Sequence, residues 1–516
     1  MSLMSTNNGC VPATFNLSGI FGLEVRHLYA TLVTNYSASV PAIFRYTQPD
    51  VELSNTTFCN ITVSYTHPGQ NDNVYTEAWL PTDNWNGRFQ AVGGGGYVAG
   101  RFYISYVAME GAIADGYATI TTDAGLGDSM DPSTWALLSP GNVDLYALQN
   151  LGSGSLSDEA EIGRSLIKSF YGKGPEFSYW NGCSQGGRQG LMLAQRYPTL
   201  YDGIAVGAPA INWNKQLATA QWPQQFMSII GSYPYGCELD AITAAAISAC
   251  DGLDGFVDGI IVEVDACLTS FDPFQLVGAY INCTETDGMI PISSTAAKVV
   301  ISTWGGPYTA TGKPLWYGLN PGADITGNSE SLYTMGGVAA TNCTAGICVG
   351  VPFTLTDRWF RLFLAKDPDF NLNDITHPQF DSLVHLSQQT YASAIGTEDP
   401  DLSEFRNAGG KLVSFHGLSD QVISPKGTAH HYNEVASTMP EIDDFYKHFE
   451  VPGLGHCFGG RSGQPTSLFS QLRAWVENGT APTQTSVQIT DLDGNLQDRV
   501  LCPYPRKAKG KSQRCS

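Results

Sequence analysis

The sequence is poor in charge. Of its 516 residues only 15% are Asp, Glu, Lys or Arg, and basic side chains are the scarcer, 27 against 48 acidic. The resulting formal net charge of −21 excludes a surface that attracts nucleic acid or an anionic membrane, since both begin with Lys and Arg neutralising phosphates. Long apolar runs are also missing. No stretch approaches the roughly 18 apolar residues of a membrane span. The start "MSLMSTNNGCVPATF" lacks a basic region followed by an apolar one. The chain therefore reads as soluble. A secreted origin requires that a signal peptide has been removed and that "MSLM" is partly a cloning remnant.

The twelve cysteines contain no C-x-x-C pair, which argues against a cysteine-rich metal cluster. Their even number points instead to disulfides and an oxidising compartment. Pairing of sequence neighbours predicts Cys10–Cys59, Cys237–Cys250, Cys267–Cys283, Cys343–Cys348 and Cys502–Cys515. Seven N-x-S/T sequons, at Asn16, Asn35, Asn55, Asn60, Asn282, Asn342 and Asn478, agree with glycosylation in a secretory pathway and an extracellular destination. Internal repeats, heptads and low-complexity tracts are absent, and the basic tail "PRKAKGKSQRC" is short enough to be a solvated terminus.

What is present is a globular composition, 42% hydrophobic and 11% aromatic, in a chain longer than one compact domain. Strand-like runs alternate with helical stretches in two regions. The first holds "VYTEAWLP", "RFQAVGGGG", "YATITTD", "FSYWNGCS" and "YDGIAVGAPA"; the second holds "KLVSFHGLSD", "YKHFEVPGLGH" and the helix "SLFSQLRAWVEN". That alternation predicts an α/β fold with a parallel sheet wrapped by helices. Between these regions the texture changes to Gly, Pro, Thr and scattered large aromatics. The expected organisation is a catalytic domain of residues 1–210 and 404–516, interrupted by a lid domain of residues 211–403.

The stretch "YWNGCSQGGRQG" contains G-x-S-x-G at Gly182 to Gly186. A strand before it and a glycine-opened helix after it define a nucleophile elbow, which exposes Ser184 Oγ above the sheet. A serine hydroxyl needs an imidazole to take its proton and a carboxylate to orient that imidazole. In this fold the order is Ser, acid, His. Asp420 lies just past a predicted strand, whereas Asp443 and Asp444 sit before the next one, where a solvated turn is their simpler role. His456 ends a loop leaving the last strand. His430 and His431 fall on a predicted helix, and His416 and His448 within strands. Each candidate also has a cysteine neighbour, Cys183 beside Ser184 and Cys457 beside His456. If those two are bonded, Ser184 and His456 are held together covalently. The N–H of Gln185, and one from the glycine run Gly93 to Gly96, with Gly95 favoured, would form the oxyanion hole.

"GCSQGG", "GLSD" and "GHC" together resemble the Cys-Ser, Asp and His-Cys arrangement of the tannase and feruloyl esterase family, and "GRFQAVGGGGYVAG", "YATITTDAG" and "VLCPYP" extend the resemblance over nearly the whole chain. The resemblance implies an α/β-hydrolase fold with a large lid, a Ser184–Asp420–His456 triad, and a Cys183–Cys457 disulfide linking it. It also bears on "CDGLDGFVDGI". Asp251, Asp254 and Asp258 place three carboxylates among glycines, a pattern suited to calcium. The family likeness adds the backbone carbonyls of Phe256 and Ile260, and makes the Ca²⁺ a structural ion of the lid; no organic cofactor is expected.

The implied function is hydrolysis of esters of aromatic, above all hydroxycinnamic, acids, whether small molecules or polysaccharide-linked. Lid aromatics Trp222, Phe226 or Phe353 would form the acyl slot. Tannase action on galloyl esters is the alternative. Some fungal tannases of the family are cut at a dibasic site in the lid, and residues 211–403 contain no adjacent basic pair, which favours feruloyl esterase. An acyltransferase would use the same triad. A non-catalytic protein of this fold would normally have lost one of its three members.

Overall fold

The structure is a computed structural model that describes residues 9–286, 288–328, 336–509 and 514–515. "MSLM" and residues 510–513 of the basic tail lie outside the described residues.

Nine strands form one sheet: β1 (Glu24–Val40), β2 (Val51–Thr66), β3 (Val74–Pro81), β4 (Arg88–Val92), β5 (Ala118–Thr122), β6 (Phe177–Cys183), β7 (Gly203–Gly207), β8 (Lys411–Gly417) and β9 (Tyr446–Val451). Their spatial order is β1-β2-β3-β5-β4-β6-β7-β8-β9. From β5 to β9 every pairing is parallel, while β1, β2 and β3 join antiparallel. The parallel strands are short and almost wholly buried, as in "ATITT" and "GIAVG", because helices cover both faces. The seven strands predicted from the sequence are all present. The long β1–β2 hairpin was not predicted. Its outer strand is largely exposed and alternates only weakly, so it carries little period-2 signal. Breaks in its register near Val25, Val33 and Tyr36 blunt the free edge against pairing with another chain.

Helices α1 (Tyr103–Ala114), α2 (Ser155–Tyr171) and α3 (Gln185–Arg196) belong to the first half of the sheet. Between β7 and β8 come α4 (Trp213–Ile230), α5 (Gly236–Cys250), α6 (Ser294–Gly305) and α7 (His377–Tyr391), with two small hairpins. The helices α8 (Pro425–Thr438) and α9 (Leu468–Asn478) and a last hairpin, β10 (Thr485–Thr490) with β11 (Leu496–Leu501), complete the chain. The segment between β7 and β8 has an aromatic core that includes Trp222, Phe353, Trp359, Phe360 and Phe380 and is continuous with Tyr97 and Trp135 from the sheet side.

All twelve cysteines are paired. Cys10–Cys59, Cys343–Cys348 and Cys502–Cys515 pair as sequence neighbours, and Cys183 pairs with Cys457. The other two expected pairs are corrected to Cys237–Cys283 and Cys250–Cys267. The reason is α5, which carries Cys237 at its start and Cys250 at its end. About 20 Å of helix separates them at 1.5 Å per residue, far beyond the roughly 7 Å that a disulfide spans between Cα atoms.

Candidate active site

Ser184 sits where β6 breaks into α3, with φ +60 and ψ −120, a conformation that non-glycine residues avoid and that surrounding contacts must enforce. They do so by close approach. A Cβ on Gly182 would stand 2.7 Å from the Gly186 backbone, so only glycine admits the turn. Ser184 N–H donates to Gly207 O at 3.0 Å, and Gly186 N–H to Gly94 O at 3.1 Å, which ties the elbow to β7 and to the glycine run.

Ser184 Oγ lies 3.0 Å from His456 Nε2, and His456 Nδ1 lies 2.8 Å from Asp420 Oδ2. The structure thus brings the three sequence candidates into one hydrogen-bonded row. His456 N–H donates to Gln421 Oε1 at 3.0 Å, fixing the loop from the acid's own neighbour. Cys183 and Cys457 approach to 6.0 Å between Cα atoms. Cys457 itself has φ +63, so one positive-φ residue of the site forms the covalent link and the other, Ser184, adjoins it.

Asp420 is fully buried. Burial alone would raise its pKa, but the charge of His456 and the hydrogen bonds from His416 and His456 hold it well below the usual carboxylate range. Its Oδ1 accepts the N–H groups of Val422 and Ile423, each at 2.8 Å. Its Oδ2 has a second imidazole partner, His416 Nε2 at 3.0 Å, whose Nδ1 meets Thr428 Oγ1 at 2.8 Å. His416 looked like packing in the sequence because it lies inside a strand. Its i, i+4 spacing to Asp420 across a strand end was the available signal. Asp443 and Asp444 lie in a turn away from the triad, the Asp443 carboxylate paired with Lys447 at 2.6 Å.

Gln185 begins α3, and its N–H has no partner among the described residues, as an oxyanion donor requires. Gly95 differs from expectation: its N–H is taken by Val98 O at 3.0 Å. The Gly94 N–H is likewise engaged, by Gln189 Oε1 at 3.0 Å. Within the run Gly93 to Gly96, Gly96 alone has an N–H without a described partner. Gln189 also donates to Ala99 O at 2.9 Å, clamping both ends of the glycine loop from α3. No sequence pattern marks Gln189 for that role.

Ser184 opens into a cavity of about 370 Å³ walled by Tyr46, Phe102, Tyr103, Ile104, Met130 and Phe458. The expected acyl-slot aromatics are elsewhere. Trp222 packs against Tyr308, His377 and Phe380 at 5.0 to 5.5 Å, with its Nε1 donating to Ser302 Oγ at 2.8 Å. Phe353 is buried in the same core, and Phe226 borders a separate cavity with Phe274 and Tyr308. These side chains are needed to build the core of the inserted segment, and the turn before α1 supplies the aromatic wall at Ser184 instead.

The acidic motif folds as a tight turn beyond α5. Asp251 accepts the N–H groups of Asp258, Gly259 and Ile260 at 2.9 to 3.2 Å. Asp254 accepts from Phe256 N–H at 2.9 Å. Asp258 Oδ2 receives Arg499 at 3.0 Å, while its Oδ1 is buried with no partner. That orphaned oxygen is a hard donor of the kind calcium takes. The three carboxylates do not, however, all come within 4.8 Å of one another.

A nine-stranded sheet with a strained serine elbow, a histidine bonded to it and a buried aspartate behind the histidine defines a serine hydrolase of the α/β-hydrolase class. Comparison with known proteins narrows this. The sequence model of "Tannase and feruloyl esterase" matches residues 59–515. A probable feruloyl esterase of Arthroderma benhamiae is 38% identical, covering 89% of this chain and 84% of its own. A probable feruloyl esterase B-1 of Aspergillus fumigatus is 29% identical over 94% and 90%. Among solved structures, the tannin acyl hydrolase from Aspergillus niger superposes with a TM-score of 0.86 at 26% identity, over 99% of this chain and 94% of that one. The chain belongs to the tannase and feruloyl esterase family, and it is a serine esterase.

Proposed function

We propose that this esterase cleaves esters of hydroxycinnamic acids. Ser184 attacks the ester carbonyl while His456 takes its proton, and the tetrahedral oxyanion is met by the N–H groups of Gln185 and Gly96. His456 then protonates the departing alcohol, and water, deprotonated by the same imidazole, releases the acid. Asp420 keeps His456 in the tautomer that presents Nε2 to the serine. The observation that carries the reading is the aromatic-walled cavity at Ser184, which offers an apolar slot to a planar acyl ring. The names of the two probable feruloyl esterases lend it support. Action on galloyl esters is the second reading, favoured by the high structural likeness to the tannin acyl hydrolase. Residues 211–403 act as a lid over the catalytic domain in this scheme. Leu355 of that segment comes close to Gly96, a lining residue of the catalytic pocket, which supports this role.

The six disulfides favour an extracellular site of action, and no described helix is long and apolar enough to cross a membrane. A structural Ca²⁺ would be held by Asp251, Asp254 and Asp258 with the carbonyls of Phe256 and Ile260, bracing the turn that joins the lid to β11 through Arg499. The decisive experiment is a hydrolysis panel of methyl ferulate, caffeate, p-coumarate, sinapate and gallate with the pure protein. A preference for gallate over every cinnamate would replace the first reading by the second, and turnover of none would reject both.

A further inference from the structure

Arg188 lies in the first turn of α3, and its backbone N–H donates to Ser184 O at 2.9 Å. Its side chain is fully buried. The guanidinium donates to Gln185 Oε1 at 2.6 Å, to Gly152 O and Leu151 O at 2.8 Å each, and to Thr397 Oγ1 at 3.1 Å. All four acceptors are neutral. Among the described residues no carboxylate is bonded to it, whereas Arg45, which is also buried, is paired with Asp115.

Three features of this placement are unfavourable to the resting protein. A buried cation without a counter-ion has lost its hydration and gained no opposite charge in return. The neighbouring charge is a second cation, Arg196: burial first and Arg196 second push the Arg188 pKa down to about 9, which leaves it charged at neutral pH. A cation in the first turn also opposes the helix dipole, which favours negative charge at that end. A negative charge that exists only during the reaction would offset all three, and one forms at this turn, where the Gln185 N–H meets the oxyanion. Arg188 also orients Gln185. A guanidinium has no acceptor, so the Gln185 amide must turn its Oε1 toward Arg188, and its buried Nε2 is left without a partner.

We propose that Arg188 is a positioning residue of the oxyanion hole, which holds Gln185 in place and lends the hole a positive charge that no carboxylate cancels. That charge acts on the tetrahedral oxyanion and hardly at all on the neutral ester, so it lowers the barrier without tightening substrate binding. The inference rests on the oxyanion role given above to the Gln185 N–H and deepens it.

The test uses 4-nitrophenyl acetate, whose acyl group is not aromatic, so that a failure of the hydroxycinnamate reading leaves it intact. Arg188→Met lowers kcat about tenfold with KM within about twofold, the worth of one unit charge acting over roughly 10 Å at an effective dielectric near 20. Phenylboronic acid, whose boron takes Ser184 Oγ as His456 takes the proton, forms a tetrahedral anion at the same place, and its affinity falls by the same factor. Gln185→Glu keeps the bond to Arg188 but cancels its charge, so kcat again falls about tenfold while Tm holds or rises. Arg188→Lys keeps the charge and loses the guanidinium's several bonds, so Tm falls while kcat stays within about threefold of wild type. A wild-type kcat in Gln185→Glu overturns the inference even where Arg188→Met does not fold. A folded Arg188→Met with unchanged boronate affinity overturns it as well, as does Arg188→Lys that is as slow as Arg188→Met; Arg188 is then a structural residue.

Discussion

His416 Nε2 stands 3.0 Å from Asp420 Oδ2, the same oxygen that holds His456 Nδ1 at 2.8 Å. The catalytic carboxylate is therefore shared between a working imidazole and a buried one. His416 touches neither serine nor substrate, so it is a positioning residue. Its N–H draws charge from Asp420 and fixes the carboxylate's rotation. Beyond His416 and His456, the further imidazole of this buried group is His448 on β9, where burial first and the nearby His416 second disfavour charge on His448.

His416→Phe is expected to lower kcat about 10- to 100-fold, the worth of one hydrogen bond to a charged group, with KM little changed. An Asp420 with one donor fewer holds the protonated form of His456 more strongly, so the acid limb of the pH–rate profile moves to higher pH. His416→Gln, which keeps a donor, recovers most of the rate. A lowered Tm with an unmoved pH profile would reduce His416 to a packing residue.

Ser184→Ala should fold normally and lose roughly 10⁴ to 10⁶ in kcat, as removal of a triad nucleophile does. Asp420→Asn should cost about 10⁴ by presenting the wrong imidazole tautomer, and Asp444→Asn should be nearly silent. Steady-state kinetics on one methyl ester decide all three, and a silent Asp420→Asn would move the acid elsewhere.

Replacing both Cys183 and Cys457 by alanine should cut activity far more than stability, because general-base catalysis tolerates only about 2.6 to 3.2 Å between His456 and Ser184. Removing Cys237 and Cys283 should do the opposite, since that bridge joins α5 to a hairpin remote from the triad. Thermal melts and kcat measured on the same preparations separate the two patterns.

Stability should fall as the solution is acidified below about pH 6.5, the ordinary histidine value. Burial pushes His448 down to about 3 and His431 down to about 4, so between those values and 6.5 the unfolded chain binds protons that the folded chain refuses. Each such histidine removes up to about 1.4 kcal/mol per pH unit in that window. Urea melts of wild type and His448→Gln between pH 7 and pH 4 check this. The variant's stability should decline less steeply.

Chelation should lower Tm while leaving the rate at moderate temperature largely intact, since the carboxylates of the acidic turn bond to its own N–H groups and to Arg499 and to no triad residue. Elemental analysis of the purified protein reads the metal directly. Finding no calcium would remove the ion from the scheme, and a rate loss without unfolding would make it catalytic.

The sheet and the triad were legible because each rests on local chemistry. A strand, a G-x-S-x-G turn and a helix occupy consecutive residues, and Asp420 and His456 each follow a strand that reads as one. Assignments that depend on how distant segments pack were not legible. Gly95 lost its N–H to Val98 through a turn that the glycine run does not specify. Trp222 and Phe353 went into a core whose other walls, Tyr308 and Phe380, lie far along the chain. Cys237 and Cys250 looked like neighbours until α5 set them at opposite ends of a rod. The aromatic wall of the pocket, Phe102 and Tyr103, lay before a helix in plain sequence with no pattern to distinguish it from core.

The Cys183–Cys457 bond also sets a clock on biosynthesis. Its two sulfurs are 274 residues apart, so at ribosomal rates of about 5 to 20 residues per second the elbow waits roughly 15 to 55 seconds for its partner. During that interval Cys237, Cys250, Cys267, Cys283, Cys343 and Cys348 emerge one after another as competing thiols. The correct bond closes only after the histidine loop has docked beside the elbow, so a nascent or half-folded chain carries no assembled nucleophile. Esterase activity in this protein is thus a report that the two ends of the catalytic domain have found each other, and cells that cannot reshuffle disulfides will make full-length chain with little catalytic yield.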